Sequence, residues 1–392
     1  MSVIGIVCEF NPFHKGHKYL IDSVKKSGDT VVCVMSGNFV QRGEPALFPK
    51  ETRVKAALLN GADIVLELPF VYATASAEIF AYNAVKILND FGCDKLAFGT
   101  ESASVEALNN AVEILNGNSF DDKIKKYLED GISYPAARQM AFNEYNTDFD
   151  ISTPNNILAI EYVKAIKKLN SAMIPIPVKR IGAGYNDSES VDGIASATHI
   201  RQLTNKNEDF SQFVPENVIG LYNEDLKNEK FLSLEKYNIA TLTLLRSKLN
   251  EELSLIANMA EGLENRIEAA IKDSTSLNDV YDKAKTKRFT HSRIRRAVLS
   301  LTLGITAEDL KIQAPYCRLL GFNVKSAETM GNLAKKSKIP FVVSYSDILN
   351  IRATDAERIF AIENLSGDFY SLIMQNSGKC SKEMTYSPVK IQ

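Results

Sequence analysis

VIGIVCEFNPFHKGH, residues 3–17, is the stretch that decides the fold. It opens as an apolar run, the pattern of a strand buried on both faces. It closes on His14-Lys15-Gly16-His17, where a helical period with apolar positions Tyr19, Leu20 and Val24 takes over. In open parallel sheets, ligands bind beyond the carboxyl ends of the strands. A helix starting there turns free N–H groups and its positive dipole end toward an anion. Gly16 lets the backbone approach a phosphate closely. Two imidazoles with a glycine between them suit hydrogen bonding to charge that builds on a phosphate under attack. The plainer reading is a polar loop. Against it, the motif directly follows the first strand, opens a helix, and holds two of the four histidines in the chain.

Outward from this motif, strand and helix patterns alternate. TVVCVMSG (30–37), DIVLELPF (63–70) and KLAFGT (95–100) read as strands. MIPIPVKRIG (173–182) reads as an edge strand, because its two prolines cannot donate to a ladder. Helices are expected over 15–26, 50–60, 75–90, 103–116, 121–130, 135–145 and 155–169. This order predicts an α/β fold, Rossmann-like, with a mostly parallel sheet and right-handed crossovers. Beyond about 205 the pattern becomes helical, over 215–228, 235–257, 258–272 and 276–300, with one strand candidate at IPFVVS (339–344). The expected organisation is a nucleotide-binding domain over 1–205 and a mostly helical domain over 206–392, with a loose polar tail after 377.

Composition narrows the function. A chain of 392 residues is long enough for two to three domains. Mean hydropathy is −0.13, and no apolar run approaches the roughly 18 residues of a membrane span. The N-terminus has no basic leader. Five cysteines without CxxC spacing argue against a protein-ligated metal and against a disulfide framework, and suit a cytoplasmic protein. The net charge of −2 hides an asymmetry: residues 283–338 carry 13 Lys and Arg against 3 Asp and Glu. A basic block on a balanced chain points to a polyanion bound by one face. Its cations are Lys283, Lys285, Lys287, Arg288, Arg293, Arg295 and Arg296, with Lys335, Lys336 and Lys338 further on. Their expected partner is RNA, held through phosphates. Phe289 or His291 is a candidate for stacking on an unpaired base.

Several motifs together resemble a known family. They are GIVCEFNPFHKGH, MSGNFVQRGEPA (35–46), ADIVLELPF (62–70), FGTES (98–102), PNNILAIEY (154–162) and KRIGAGYND (179–187). This set is similar to the bacterial tRNA(Met) cytidine acetate ligases. The resemblance implies a HIGH-type nucleotidyltransferase fold that activates acetate with ATP, accompanied by Mg²⁺. The acetyl-adenylate would then acylate N4 of the wobble cytidine of elongator tRNA(Met). Carried over by motif, the catalytic pair would be His14 and His17. The ATP site would run through Val7, Cys8, Glu9, Phe10, Asn11, Pro12, Phe13, His14, Lys15, Gly16, His17, Lys18, Tyr19 and Leu20. Gly99, Asn155, Arg180 and Ile181 would join it.

Ser196-Ala197-Thr198-His199-Ile200-Arg201 looks like the S-x-T-x-x-R segment found opposite HxGH in nucleotidyltransferases. Ser196 and Thr198 can cap a helix and meet phosphate oxygens, and Arg201 can neutralise the departing pyrophosphate. Ser36, Gly37, Asn38, Gln41 and Arg42 are the candidates for the acetate side. Two other readings remain open at this level: a small-molecule adenylyltransferase on the same fold, and a non-catalytic RNA-binding protein.

Overall fold

The computed structural model describes all residues except 102, 103, 133, 146–148, 182–192, 250 and 251. Among the described residues ten strands form: β1 (Val3–Cys8), β2 (Thr30–Ser36), β3 (Phe39–Val40), β4 (Glu44–Pro45), β5 (Ile64–Leu68), β6 (Lys95–Thr100), β7 (Ile174–Lys179), β8 (Cys317–Asn323), β9 (Phe341–Val342) and β10 (Val389–Ile391). Eight of them make one sheet in the order β10-β8-β5-β2-β1-β6-β7, with β9 beside β8; β3 and β4 form a separate hairpin. Strands β1, β2, β5, β6 and β7 run parallel, as the alternating pattern predicts. The proline-bearing β7 lies at the edge and pairs with β6 alone.

Side chains alternate across the sheet and feed two cores. Val32, Val34, Leu66 and Phe98 face one layer of helices. Cys33, Met35, Val65 and Ala97 face the other. The first layer includes the helix Ala77–Phe91, which lies so close over β1 that a Cβ on Gly5 would sit 2.8 Å from Leu88. The second includes Lys50–Leu59 and Glu216–Lys227, which buries Val218 and Tyr222.

The helix expected over 235–257 ends at Ser247, and three larger features also differ from the expectation. First, β8, β9 and β10 all lie beyond 205 yet extend the N-terminal sheet, and β8 enters antiparallel beside β5. Second, the tail after 377 is held: Glu383 is buried against Lys50 and Arg318, and β10 pairs with β8. Third, 276–300 is two helices, Leu277–Ala284 and His291–Leu303. The hydroxyl of Thr286 accepts from the N–H groups of Arg288 and Phe289, and Thr290 caps the second helix by accepting from Arg293. Threonine side chains that capture backbone N–H groups compete with helix continuation.

Candidate active site

A cleft of about 510 Å³ opens beyond the carboxyl ends of β1, β6 and β7. The HxGH turn forms its floor. His14 is the N-cap of the helix Lys15–Val24: its Nδ1 accepts from the Gly16 N–H at 3.0 Å. His17 reciprocates, its Nδ1 accepting from the His14 N–H at 3.2 Å. The pair is a capping box written in histidine. The rings lie 3.7 Å apart at 31°. Because both Nδ1 atoms accept, each ring is fixed as the tautomer that carries its proton on Nε2. Burial, and then the charges of Arg180 and Arg201, push His14 down to about 3. Burial, then His14 and Arg180, also lower His17 well below its usual value. The cleft floor thus presents two neutral imidazole donors at neutral pH.

Gly99, Asn155, Arg180 and Ile181 line the cleft at its β6–β7 end, with Phe98 and Leu158. A Cβ on Gly99 would meet Arg180 Cγ at 3.3 Å, so glycine here makes room for the arginine stem. Asn155 is held between two charges: its Nδ2 donates to Glu101 at 2.7 Å and its Oδ1 accepts from Arg180 at 3.2 Å. The N-cap of the helix Pro154–Lys168 is Thr153, so Asn155 sits inside the first turn.

Ser196 caps the helix Ala197–Asn205, accepting from the His199 N–H. Arg201, one turn on, donates to the Asn11 carbonyl at 2.9 Å and to the Thr198 hydroxyl at 3.1 Å. These bonds tie the second signature to the first. Of KRIGAGYND, residues 182–187 lie outside the described residues, as does Ser102 of FGTES. From the motif run, Val7, Cys8, Glu9, Phe10, His14, Gly16, His17, Tyr19 and Leu20 line the cleft. Asn11 and Phe13 are buried beneath it, Lys15 points to solvent, and Lys18 pairs with Asp22 on the helix surface. Glu9 accepts from the Gln41 N–H at 2.7 Å, and burial pushes its carboxyl above the ordinary range.

The acetate-side candidates divide. Gln41 and Arg42 line the cleft. Ser36, Gly37 and Asn38 do not. They sit in the interior, beside a buried ionic cluster of Lys50, Glu67, Arg318, Glu363 and Glu383. A Cβ on Gly37 would lie 2.9 Å from a Glu363 oxygen, and Asn38 reaches Glu383. Their place at the carboxyl end of β2 predicts a position at the ligand edge of the sheet. Glu363 of the helix Thr354–Leu372 and Glu383 of the C-terminal segment close over that point instead.

The basic block is likewise rearranged. Phe289 is buried in the helical core and cannot stack on a base. Acids outside the block balance several cations: Arg288 and Arg293 pair with Glu261, Lys283 with Asp273 and Asp279, and Arg295 with Glu44. Lys285, Lys287, Lys335, Lys336 and Lys338 are exposed and have no ion-pair partner among the described residues. Arg296 leaves the outer face altogether: with Ser292 it lines the cleft. The sequence offered no signal for that, because an arginine in a cationic run reads as outward-facing. Tyr162 and Phe80 were also missed, being apolar helix positions like many others.

A mostly parallel sheet whose first strand delivers a histidine-capped helix to a nucleotide-sized cleft defines the HIGH class of nucleotidyltransferases, and residues 1–385 match the HIGH Nucleotidyl Transferase family. Within that class, the chain belongs to the tRNA(Met) cytidine acetate ligase family. It is 37% identical to the enzyme of that name from Acetivibrio thermocellus, over 98% of this chain and 99% of the relative. It is 38% identical to that of Lysinibacillus sphaericus, over 96% and 95%. Thermotoga maritima TmcAL bound with alpha-thio ATP superposes with a TM-score of 0.90 at 29% identity, covering both chains completely.

Proposed function

We infer that this protein is an ATP-dependent ligase that activates acetate and acetylates the wobble cytidine of elongator tRNA(Met). In the first step an acetate oxygen attacks the α-phosphorus, the bond to the β-phosphate breaks, and pyrophosphate departs. In the second, the cytidine N4 attacks the acetyl carbonyl, AMP leaves, and one N4 proton is released. The observation that carries the first step is the interlocked histidine pair. Its two Nε2–H donors are held neutral and oriented by backbone bonds, suited to charge that develops on the α-phosphoryl oxygens. Neither imidazole needs to ionise or to move. Gly99, Asn155 and Ile181 suit the adenosine, while Arg180, Arg201, Ser196 and Thr198 suit the polyphosphate.

Mg²⁺ would arrive with the triphosphate. Glu9 is the one carboxylate among the described lining residues, and it is committed to Gln41, so phosphate oxygens and water would hold the ion. Lys285, Lys287, Lys335, Lys336 and Lys338 are the cations best placed for tRNA phosphates, with Lys283, Arg288, Arg293 and Arg295 available where the RNA displaces their acids. No helix among the described residues is long and apolar enough to cross a membrane, which fits the cytoplasmic setting of a tRNA enzyme.

ATP–pyrophosphate exchange tests the reading, with acetate and without tRNA, followed by nucleoside mass spectrometry of tRNA(Met) after tRNA is added. Acetate-dependent exchange and an acetylated cytidine are the expected results. Exchange indifferent to acetate, or adenylyl transfer to a mononucleotide, would replace the ligase with a small-molecule adenylyltransferase.

A further inference from the structure

Arg296 and Ser292 are the described cleft-lining residues that come from beyond 205. Arg296 differs from the arginines around it. Arg295 pairs with Glu44, and Arg293 with Glu261. The Nε of Arg296 is buried and has no hydrogen-bond partner among the described residues, and its Nη1 reaches the Gln41 carbonyl at a long 3.5 Å. Burial, then the charge of Arg293, push its guanidinium down to about 10, as expected of a cation that lacks its counter-charge. Such a group is completed by a planar anion that meets two of its N–H groups at once, and a carboxylate has that shape.

Its surroundings narrow the anion. Beside it the Gln41 N–H is spent on Glu9 and the Gln41 side-chain N–H on the Ala75 carbonyl, while Arg42 of the same loop and Ser292 also line the cleft. That second bond draws the start of the helix Ala77–Phe91 beside the same loop. Ala77 and Phe80 there give the cleft an apolar face. A guanidinium next to a small apolar surface fits a short acid better than a polyphosphate.

We propose that Arg296 binds the carboxylate of the acid substrate, in a subsite that the two halves of the chain build together, with Ala77 and Phe80 against the methyl group. The assignment rests on the acetate reading above. Arg296 stays protonated throughout: it orients the acetate whose oxygen attacks the α-phosphorus, and the electron pair of the broken bond leaves with pyrophosphate.

The test is ATP–pyrophosphate exchange by the full-length protein and its Arg296→Ala and Arg296→Lys variants. The KM for acetate should rise roughly 10- to 100-fold, the range for losing a hydrogen bond to a charged group. The KM for ATP should stay close to wild type, and guanidinium salt should partly restore the alanine variant. A KM for ATP that rises in step would assign Arg296 to the polyphosphate. Unchanged exchange with weakened tRNA binding would assign it to RNA. Either result overturns the proposal. A wild type that exchanges without acetate would remove the reading on which the assignment rests, and is told apart because it needs no variant. If Arg296→Ala loses its thermal transition, Arg296→Lys decides: it keeps the charge and loses the planar fork. An unchanged acetate KM in that folded variant overturns the assignment.

Discussion

His14 and His17 each do two jobs with one ring. Nδ1 closes the capping box, which leaves Nε2–H as the donor of a ring that lines the cleft. Replacement by alanine would confound the two, because losing a cap costs about 1 kcal/mol. Asparagine at either position can set its amide oxygen where Nδ1 stands, accepting from the backbone N–H, and is too short to reach the Nε2 position. His14→Asn and His17→Asn should therefore melt near wild type while acetate-dependent exchange falls by about 10²- to 10³-fold, the usual loss for an oxyanion donor. An exchange rate within a few-fold of wild type would show that the Nε2 protons do not reach the transition state. The pH dependence follows from the same geometry. With His14 titrating near 3, exchange should not decline between pH 7.5 and 6 on account of imidazole protonation. For stability the sign is the reverse of a salt-bridged histidine. The neutral, depressed group contributes nothing above about pH 6.5, and it destabilises the fold progressively as pH falls from there toward 3, because the unfolded chain takes the proton first.

At the level of elements, the decisive contact is between the loop after β3 and the start of the helix His291–Leu303. Gly43 has φ +73°, and a Cβ there would lie 2.6 Å from the Arg296 backbone nitrogen. The loop that carries Gln41 and Arg42 is therefore pressed onto the helix that carries Arg296. Gly43→Ala should cost about 1–3 kcal/mol from the left-handed backbone alone, plus the displacement of the helix. Gly28→Ala is the matched control: its φ is +86° and nothing lies within 4 Å of the added carbon. Urea unfolding of both variants, with the acetate KM of each, separates the terms. Equal losses of stability and an unaltered KM would mean that the helix does not depend on this contact. The break between Leu277–Ala284 and His291–Leu303 matters for the same reason, since it lets the second helix turn its first two turns toward the cleft.

Across the whole molecule, the buried cluster of Lys50, Glu67, Arg318, Glu363 and Glu383 joins the central sheet to the C-terminal helix and tail. Three carboxylates face two cations, so one proton is needed for balance. Glu363 carries it: burial, and then the charge of Glu67, push its carboxyl up to about 8. Glu67, between Arg318 and Lys50, stays ionised at about 2. The sign is set by the proton count. Glu363 holds a proton when folded and loses it in the unfolded chain above about pH 4.5. Its contribution to stability is therefore lost as pH rises from about 4.5 to 8. Glu363→Gln keeps the uncharged shape and should flatten that decline, read as urea midpoints at pH 5.5, 7 and 8.5. A variant whose midpoints fall as steeply as wild type would place the proton elsewhere. Glu383→Ala strands buried cations and should cost about 3–5 kcal/mol.

Much of the cleft lining lies in stretches the sequence marks, 3–17, 98–101, 154–162 and 179–181, while 196–201 sits outside the lining and is tied to it through the bond from Arg201 to Asn11. The local pattern there is itself the cause: an apolar run makes the strand, a glycine opens the turn, and capping side chains start the helix. Tertiary structure decided the rest. CRLLGFN (317–323) has no periodicity to mark it as a strand. It becomes one because it pairs with β5, some 250 residues away in sequence, and because Gly321 lets Val54 close over it. The tail after 377 looked loose because its anchor, Glu383, is a charge whose partners lie on other elements. The cations of 283–296 looked unbalanced because Glu44, Glu261 and Asp273 reach them only through the fold. Sequence alone determined the chemistry at the end of the first strand, where cause and effect are a few residues apart. Which arginine enters the cleft, and which glutamate holds a proton, were decided by long-range packing, since desolvation and charge pairing depend on neighbours in space.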